Sequence, residues 1–259
     1  LFTYAPETDS WPGLDMGAPP GPTSPATSIV IGSSGPATGL AAFVTFDLNQ
    51  VVRYSYIAVS PFFATLKIAD TGGGTNARRV AAGRGRGDGV ERVYASAAHP
   101  TLSTWSVTEI TYSGISWVTT PVSSGTGASA QGLAMGDLWK NQASTEVYFS
   151  VATSVQASTW TGTVWQGEMV WAGMAATPRG LDGDRAAATV RGDGIRRVYA
   201  GQDDGALAQF RFDGAFPVST ITVPVPGPLS ALATLSGTAQ DKVGVGHRRL
   251  CPSQAVAGR

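Results

Sequence analysis

Short runs of small and apolar residues recur along the chain, and each ends at a glycine or a glycine-rich turn. They are residues 28–32, 80–83, 133–136, 187–190 and 232–235. Runs of four or five residues that are apolar on both faces are typical of strands buried on both sides of a sheet. Apolar and polar residues then alternate, most plainly in residues 105–112 and 206–212, as they do in half-buried strands. The pattern predicts an all-β protein with almost no helix.

The chain also repeats itself with a period near fifty residues. Residues 86–95 and 191–200 are identical at eight of ten positions, and a related Val-Tyr segment lies midway between them at residues 146–150. The repeat is anchored at residues 43, 94, 148, 199 and 244, with spacings of 51, 54, 51 and 45. The best-preserved units supply an inner strand, a Gly-Asp-Gly turn and three further strands. Units of four antiparallel strands are typical of β-propeller blades.

We therefore predict an all-β, five-bladed β-propeller with four-stranded antiparallel blades, forming one domain over residues 1–259. The approximate blades are residues 28–77, 78–128, 129–183, 184–228 and 229–259, the last completed by residues 1–17. The fifth unit lacks its third and fourth strands, and the spacing in residues 1–11 matches that in residues 109–117 within two positions. Pairing of both chain ends in one shared blade would close the ring and hide its edges.

One sequence signature links the repeat to a known group of propellers. It is the run Gly-Asp-Gly-x-x-Arg-Val-Tyr-Ala, followed by Asp-Gly-Ala-Leu at residues 204–207 and the aromatic pair Phe210 and Phe212. This signature resembles the blade repeats of bacterial and lectin-like propellers. In fold the chain is similar to the five-bladed tachylectin-2 type, whose members bind amino sugars between blades. The resemblance covers nearly the whole chain and implies the fold and a sugar-binding role, although the first and third units lack the Gly-Asp-Gly turn.

The charge balance narrows the possible partners. Eighteen basic and eighteen acidic residues give a formal net charge of zero, and no Lys/Arg cluster is longer than a pair. Such a chain has no summed field that would attract nucleic acid or anionic lipid. The longest apolar run, residues 57–66, is broken by Pro61 and is about half the roughly 20 residues that a membrane helix needs. We expect a glycan or a protein as partner, with no nucleic acid and no membrane span.

The few cysteine and histidine residues limit metal and redox chemistry. Cys251 is the one cysteine, so no internal disulfide forms, and His99 and His247 are too few to build the usual zinc sites. We therefore expect no metal and no cofactor. The sequence begins at Leu1 without an initiator methionine, and a cleaved signal peptide would account for this start. The expected location is therefore extracellular or periplasmic.

No catalytic constellation is predicted. The predicted inner strands contain no Asp or Glu, whereas propeller glycosidases carry paired carboxylates there. The chain has no Gly-x-Ser-x-Gly elbow, and the spaced glycines Gly83, Gly85 and Gly87 join two strands without the helix that a dinucleotide site requires. We expect a protein that binds without catalysing a reaction.

Two tryptophans are the first candidates for ligand binding. Trp105 and Trp160 each follow Ser-Thr and stand five residues before Ile110 and Trp165, which predicts equivalent places at the start of the third strand. The loop before that strand opens on the face with the central funnel, where an indole could stack on a sugar. The alternative is that both rings pack between neighbouring blades. The predicted ligand-binding set is completed by loop residues His99, Asp203, Asp204, His247 and Arg248.

Turn geometry accounts for several motifs that contain aspartate. The Arg-Gly-Asp tripeptides at residues 86–88 and 191–193 spell a cell-adhesion sequence, but both occupy the same predicted blade turn, whose geometry demands Gly and Asp. Asp182, Asp184 and the loop pair at 203–204 offer oxygens to Ca²⁺ without the regular spacing of a calcium loop. Turn chemistry explains both patterns.

Two functional interpretations stay open. The first is lectin-like recognition of glycans by loops on one propeller face. The second is a non-catalytic accessory or scaffold subunit that docks onto a larger assembly. For docking, the candidates are the proline-rich residues 18–25 and an aromatic run containing Tyr56, Phe62 and Phe63, which would form a patch if exposed and an outer-strand core if buried.

Overall fold

The computed structural model describes residues 24–35, 39–56, 63–71, 74–136, 145–183, 197–210, 218–223 and 236–240, and all regular structure in them is β-strand. The strands are β1 (Ala26–Gly32), β2 (Ala41–Phe46), β3 (Gln50–Tyr56), β4 (Phe63–Asp70), β5 (Asn76–Gly83), β6 (Arg92–His99), β7 (Thr104–Tyr112), β8 (Trp117–Thr126), β9 (Ala130–Gly136), β10 (Glu146–Val151), β11 (Ser154–Trp160), β12 (Trp165–Trp171), β13 (Pro178–Gly183), β14 (Val198–Gln202), β15 (Leu207–Phe210), β16 (Val218–Val223) and β17 (Ser236–Gln240). In these ranges no helix is long and apolar enough to cross a bilayer.

The strands form consecutive antiparallel sheets. The first sheet is β1–β4, the second is β5–β8 and the third is β9–β12, each with its strands side by side in chain order. The fourth sheet contains β13–β15 within the described residues. The first strands of the four sheets, β1, β5, β9 and β13, lie next to one another in that order. Sheets that meander outward from neighbouring first strands form a β-propeller, which confirms the predicted architecture.

The described residues form four blades, so the expected count of five is wrong for this part of the chain. Strand β16 falls within residues 184–228, the predicted fourth blade, but it pairs with β17 in a two-stranded sheet. Alternation along a strand specifies which face is buried but not which strand is its partner, and this explains the error. The predicted shared blade joins residues 229–259 to residues 1–17. Of these, the structure describes residues 236–240, which form β17 and pair with β16.

The predicted inner strands are confirmed in the first three sheets, where the apolar runs 28–32, 80–83 and 133–136 fall within β1, β5 and β9. In the fourth sheet the inner strand is β13, which pairs with β14 and precedes the expected run at 187–190. That run lies outside the described residues. Because β13 has the sequence Pro-Arg-Gly-Leu-Asp-Gly, it lacks the continuous apolar run from which inner strands were identified.

The core lies between neighbouring sheets. Between the first and second sheets, Phe43 of β2 packs with Val93 of β6 and Ile110 of β7, all fully buried. Between the second and third sheets, Tyr94 packs with Phe149 of β10. Burial of a large apolar side chain stabilises the fold by about 1.5–3 kcal/mol, so these repeat anchors hold adjacent blades together.

A shared irregularity marks the start of each inner strand. A β-bulge occurs near the start of β1, β5, β9 and β13, where the strands hold Thr27, Arg78, Gln131 and Arg179. Next to one bulge, Arg79 donates hydrogen bonds to the backbone oxygens of Thr27 (2.9 Å) and Arg179 (3.2 Å). This guanidinium therefore links the second sheet to the first and fourth sheets.

Candidate functional site

The turns divide the propeller into two faces. We call upper the face with the turns between the second and third strands of each sheet, residues 47–49, 100–103, 152–153 and 203–206. We call lower the face with the turns between first and second strands and between third and fourth strands. The bulges and Arg79 lie toward the upper face, because all four inner strands begin there.

The predicted loop residues His99, Asp203 and Asp204 lie on the upper face, as expected. His99 Nδ1 accepts hydrogen bonds from the backbone N–H groups of Thr101 (3.3 Å) and Leu102 (3.1 Å). Asp204 accepts from its own turn, and Asp203 forms an ion pair with the exposed Arg179, which lowers the pKa of Asp203. His99 belongs to the second sheet and both aspartates to the fourth, and each is occupied within its own turn or sheet. His247 and Arg248 lie outside the described residues.

The expected equivalence of Trp105 and Trp160 is wrong. Trp105 lies near the start of β7, whereas Trp160 is the last residue of β11 and therefore lies at the lower face. The hairpin of the second sheet is longer: Tyr94 pairs with Glu109 fifteen residues later, but Tyr148 pairs with a residue nine later, Ala157. Counting residues along the chain therefore misaligned the two strands.

Trp105 has the packing role that the sequence left as an alternative. Its side chain is buried against Phe149 of the next sheet, with ring centroids 5.4 Å apart. A Cβ at Gly125 would stand 2.8 Å from the indole, so the ring is also enclosed by β8. Trp160 is half-buried, and the guanidinium of Arg86 covers its ring at 4.1 Å from the centroid.

On the lower face, the cleft between the second and third sheets is filled by a charged network, and we call it the filled cleft. Glu109, on β7, is fully buried. It forms an ion pair with the guanidinium of Arg86, which lies 2.6 Å from Oε1 and 3.0 Å from Oε2. The hydroxyl of Tyr94 donates to Oε2 at 3.2 Å, and that of Thr111 donates to Oε1 at 3.2 Å. The negative charge of Glu109 is thus neutralised and its oxygens are satisfied.

The Gly-Asp-Gly turn completes this network. Asp88 accepts from the backbone of Val90 and from both terminal nitrogens of Arg92, at 2.7 and 2.5 Å. The hydrogen bond from Arg92 lowers the pKa of Asp88 to about 2, and burial raises the pKa of Tyr94. Gly87 and Gly89 have φ of 71° and 77°, a region that glycine adopts without strain. The Arg-Gly-Asp tripeptide at residues 86–88 therefore has the predicted turn role, while its second copy lies outside the described residues.

The corresponding place between the first and second sheets holds a cavity of 180 Å³, and we call it the open cleft. Its walls come from the residues after β1, from the turn between β5 and β6, and from the end of β7. They are Ser33, Ser34, Gly35, Arg84, Gly89, Val90, Glu91 and Tyr112. Glu91 Oε1 accepts from the backbone N–H of Ser33 at 2.6 Å, and this bond joins the two sheets. The Tyr112 ring lies 5.4 Å from Trp117 of β8.

Arg53 of β3 lies behind the wall of the open cleft. It pairs in register with Phe43, as Glu109 pairs with Tyr94, so Arg53 and Glu109 occupy equivalent positions in successive sheets. Arg53 is 6% exposed, and burial lowers its pKa. Within the part of the chain that the structure describes, no acceptor or carboxylate pairs with its guanidinium. A Cβ at Gly35 would stand 3.1 Å from Arg53 Nε, so the guanidinium lies directly against that wall residue.

The groups around the open cleft suit binding of a polar ligand. Two serines, one carboxylate, one guanidinium and one aromatic ring converge on it, and such combinations orient polar ligands in pockets. Neither Trp105 nor Trp160 lines this cavity. Among the described residues no group of three or more His, Cys, Asp or Glu could hold a metal ion. The inner strands there carry one carboxylate, Asp182 of β13, in a strand that the sequence pattern had not identified as inner.

Sequence reasoning missed Arg53 and Tyr112 as site residues. A usable signal was present, because Arg53 follows two valines within a predicted strand, and a charged side chain among buried positions is more informative than an apolar one. The anchors alone do not align Arg53 with Glu109, because Arg53 follows Phe43 by 10 residues whereas Glu109 follows Tyr94 by 15. In the structure Tyr112 is equivalent to Trp160, because Tyr112 pairs with Trp117 as Trp160 pairs with Trp165.

The predicted partner-binding residues lie at the hairpin between β3 and β4. The backbones of Tyr56 and Phe63 pair with each other at its end, and Phe62 lies outside the described residues. Comparison with known proteins adds no relative: no protein-family model matches the chain, and no curated protein matches it. The function is therefore argued from the site alone.

Proposed function

We propose that this protein is a non-catalytic, lectin-like binding protein that takes a sugar residue of a glycan in the open cleft. The observation that carries the proposal is the convergence of Ser33, Arg84, Glu91 and Tyr112 on one cavity between two blades. Hydroxyl, carboxylate and guanidinium groups match the donors and acceptors of a sugar. An aromatic ring at the wall supplies apolar surface for a sugar ring.

The absence of catalysis is part of the proposal. Glycoside hydrolysis uses two carboxylates about 5–9.5 Å apart, one of them able to donate a proton. In the open cleft the described carboxylate is Glu91, which is bound to the backbone of Ser33. Glu109, buried in the neighbouring cleft, forms an ion pair with Arg86. Neither residue has the paired arrangement that general acid–base chemistry requires.

The test is a glycan array read with the wild-type protein and two matched variants. Tyr112→Ala removes the ring at the cavity wall and is expected to weaken binding at least tenfold. Trp160→Ala removes the equivalent ring at the filled cleft and is expected to leave binding unchanged. Equal losses in both variants, with equal losses of thermal stability, would show that the rings act through the fold.

The second candidate function is a non-catalytic accessory or scaffold subunit of a larger assembly. Two apolar side chains on the innermost strand β1 favour it, because Ile29 and Ile31 are 60% and 52% exposed. Apolar side chains left open on an inner strand could be covered by a partner. If no glycan on the array binds, and Ile29→Ser with Ile31→Ser releases a co-purifying protein, the subunit interpretation replaces the lectin interpretation.

A further inference from the structure

A positive charge without a described counter-charge lies behind the wall of the open cleft. Arg53 is nine-tenths buried, and no carboxylate or hydrogen-bond acceptor among the described residues pairs with it. The exposed Arg84 lines the cavity itself, and no described carboxylate pairs with its side chain. The carboxylate of Glu91 also lines the cavity, and its Oε1 accepts a hydrogen bond from the Ser33 N–H. Two guanidinium groups in or behind this wall are therefore matched by one carboxylate.

A buried and unpaired charge is unfavourable in a folded protein. Removing an ion from water costs several kcal/mol unless an opposite charge and hydrogen bonds compensate for it. The equivalent position in the second sheet shows such compensation, because the charge of Glu109 is met by Arg86 and its oxygens also accept from Tyr94 and Thr111. Arg53 has no such set of partners among the described residues.

We infer that the ligand of the open cleft is an acidic sugar, whose carboxylate or sulfate group pairs with Arg53. The inference rests on the proposed function and adds the charge of the ligand to it. A guanidinium binds carboxylate and sulfate oxygens through two parallel hydrogen bonds, which gives both affinity and orientation.

The geometry at Gly35 allows an anion to approach Arg53. Gly35 lines the cavity, has φ of +119°, and carries no side chain between the cavity and the guanidinium. A Cβ there would come within 3.1 Å of Arg53 Nε and 3.0 Å of Trp117. Tyr112, which lines the cavity, gives the sugar an apolar neighbour, and Arg84, which also lines it, attracts the acidic group.

The test uses a printed array of matched glycans. The array carries glycans with uronate, sialic acid or sulfate, each with its neutral parent as the comparison. The affinities of the pair with the largest difference in binding are then measured by isothermal titration calorimetry. We expect at least one acidic member to bind at least tenfold more tightly than its parent, with an advantage that decreases as salt rises. The carboxylate and sulfate arms identify which anion the site takes.

Two variants, Arg53→Met and Arg53→Lys, test whether Arg53 carries the preference for acidic over neutral glycans. Arg53→Met is expected to reduce the acidic preference to less than twofold, because the guanidinium that pairs with the anion is removed. Arg53→Lys keeps the charge and is expected to retain part of the preference. The ligand-free Arg53→Met variant is expected to melt a few degrees higher than wild type, since a buried unpaired charge is removed. Loss of acidic binding therefore cannot be ascribed to unfolding.

The outcomes separate the inference from the proposed function. Equal binding of acidic and neutral members overturns the inference and leaves the lectin function intact. An acidic preference that survives Arg53→Met also overturns it, because another group then carries the preference. Binding of no glycan overturns the proposed function and the inference with it.

Discussion

The filled and open clefts place two opposite charges at one structural position. Glu109 and Arg53 both lie on the third strand of a sheet, opposite the aromatic anchor of the second strand. Both are buried, yet Glu109 is enclosed by Arg86, Tyr94 and Thr111, whereas Arg53 has no pairing partner in the described residues. Both residues have the same register position, so the difference lies in which side chains the neighbouring turn provides.

The turns that follow the inner strands explain this difference between the two clefts. The second sheet has the Gly-Asp-Gly turn, which brings Arg86 into the cleft and uses the space for stability. In the first sheet Ser33, Ser34 and Gly35 follow β1 instead, so small side chains and a cavity take the place of the ion pair. Divergence between blades therefore leaves one cleft open and fills the other with a structural contact.

The largest effect is expected for Glu109→Gln. The substitution leaves Arg86 and the 8% exposed side chain of Arg92 without their shared anion, and breaking a buried pair costs about 3 kcal/mol. Urea unfolding measures the loss. Glu168→Gln, on the exposed part of β12, is the control and should change stability by less than about 0.5 kcal/mol. A loss below about 1 kcal/mol would show that the network is not stabilising.

The opposite sign is expected for Arg53→Met without ligand. Methionine fills similar volume without charge, so the free energy of unfolding should rise by about 1–2 kcal/mol. The control is Arg84→Met, because Arg84 is exposed and its removal should be nearly neutral. A decrease in stability for Arg53→Met would mean that the guanidinium is compensated after all, and that the two clefts are alike.

A smaller effect is expected for Tyr94→Phe. This substitution gives the second sheet the phenylalanine that the first sheet has at the equivalent position, Phe43. Loss of the hydroxyl bond to Glu109 costs about 1 kcal/mol at pH 7. Because burial raises the pKa of Tyr94, folding favours the neutral phenol, and this stability is present below pH 10 and is lost as the pH rises further. Tyr94→Phe should therefore lose less stability than wild type between pH 9 and pH 11, measured by thermal melting.

The smallest effect is expected for Asp88→Asn. The folded pKa of about 2 lies below the ordinary value of 3.8, so Asp88 contributes stability above pH 3.8 that is lost as the pH falls toward 2. The side chain is 43% exposed, so solvent screening limits the contribution to less than about 1 kcal/mol. Wild type should lose this contribution between pH 4 and pH 2, and Asp88→Asn should lose less stability over the same range, measured by urea unfolding at each pH.

The sequence predicted the propeller but not its pairing at the end of the chain. The Val-Tyr anchors correctly placed β6, β10 and β14, because large buried side chains must recur wherever blades pack together. β16 lies within the predicted fourth blade but pairs with β17. Strand position follows from local alternation, while strand pairing depends on contacts distant in the chain, so the blade count could not be read from the pattern.

The candidate site shows the same division between local and tertiary information. The sequence by itself determined the turn role of Asp88, because the carboxylate and its partners lie within four residues. Only the tertiary structure decided that Trp105 is core, that Trp160 is covered by Arg86, and that the cavity lies beside Tyr112. Whether a buried charge is compensated depends on side chains from other strands and sheets. Glu109 meets an arginine 23 residues away, and no described residue does the same for Arg53.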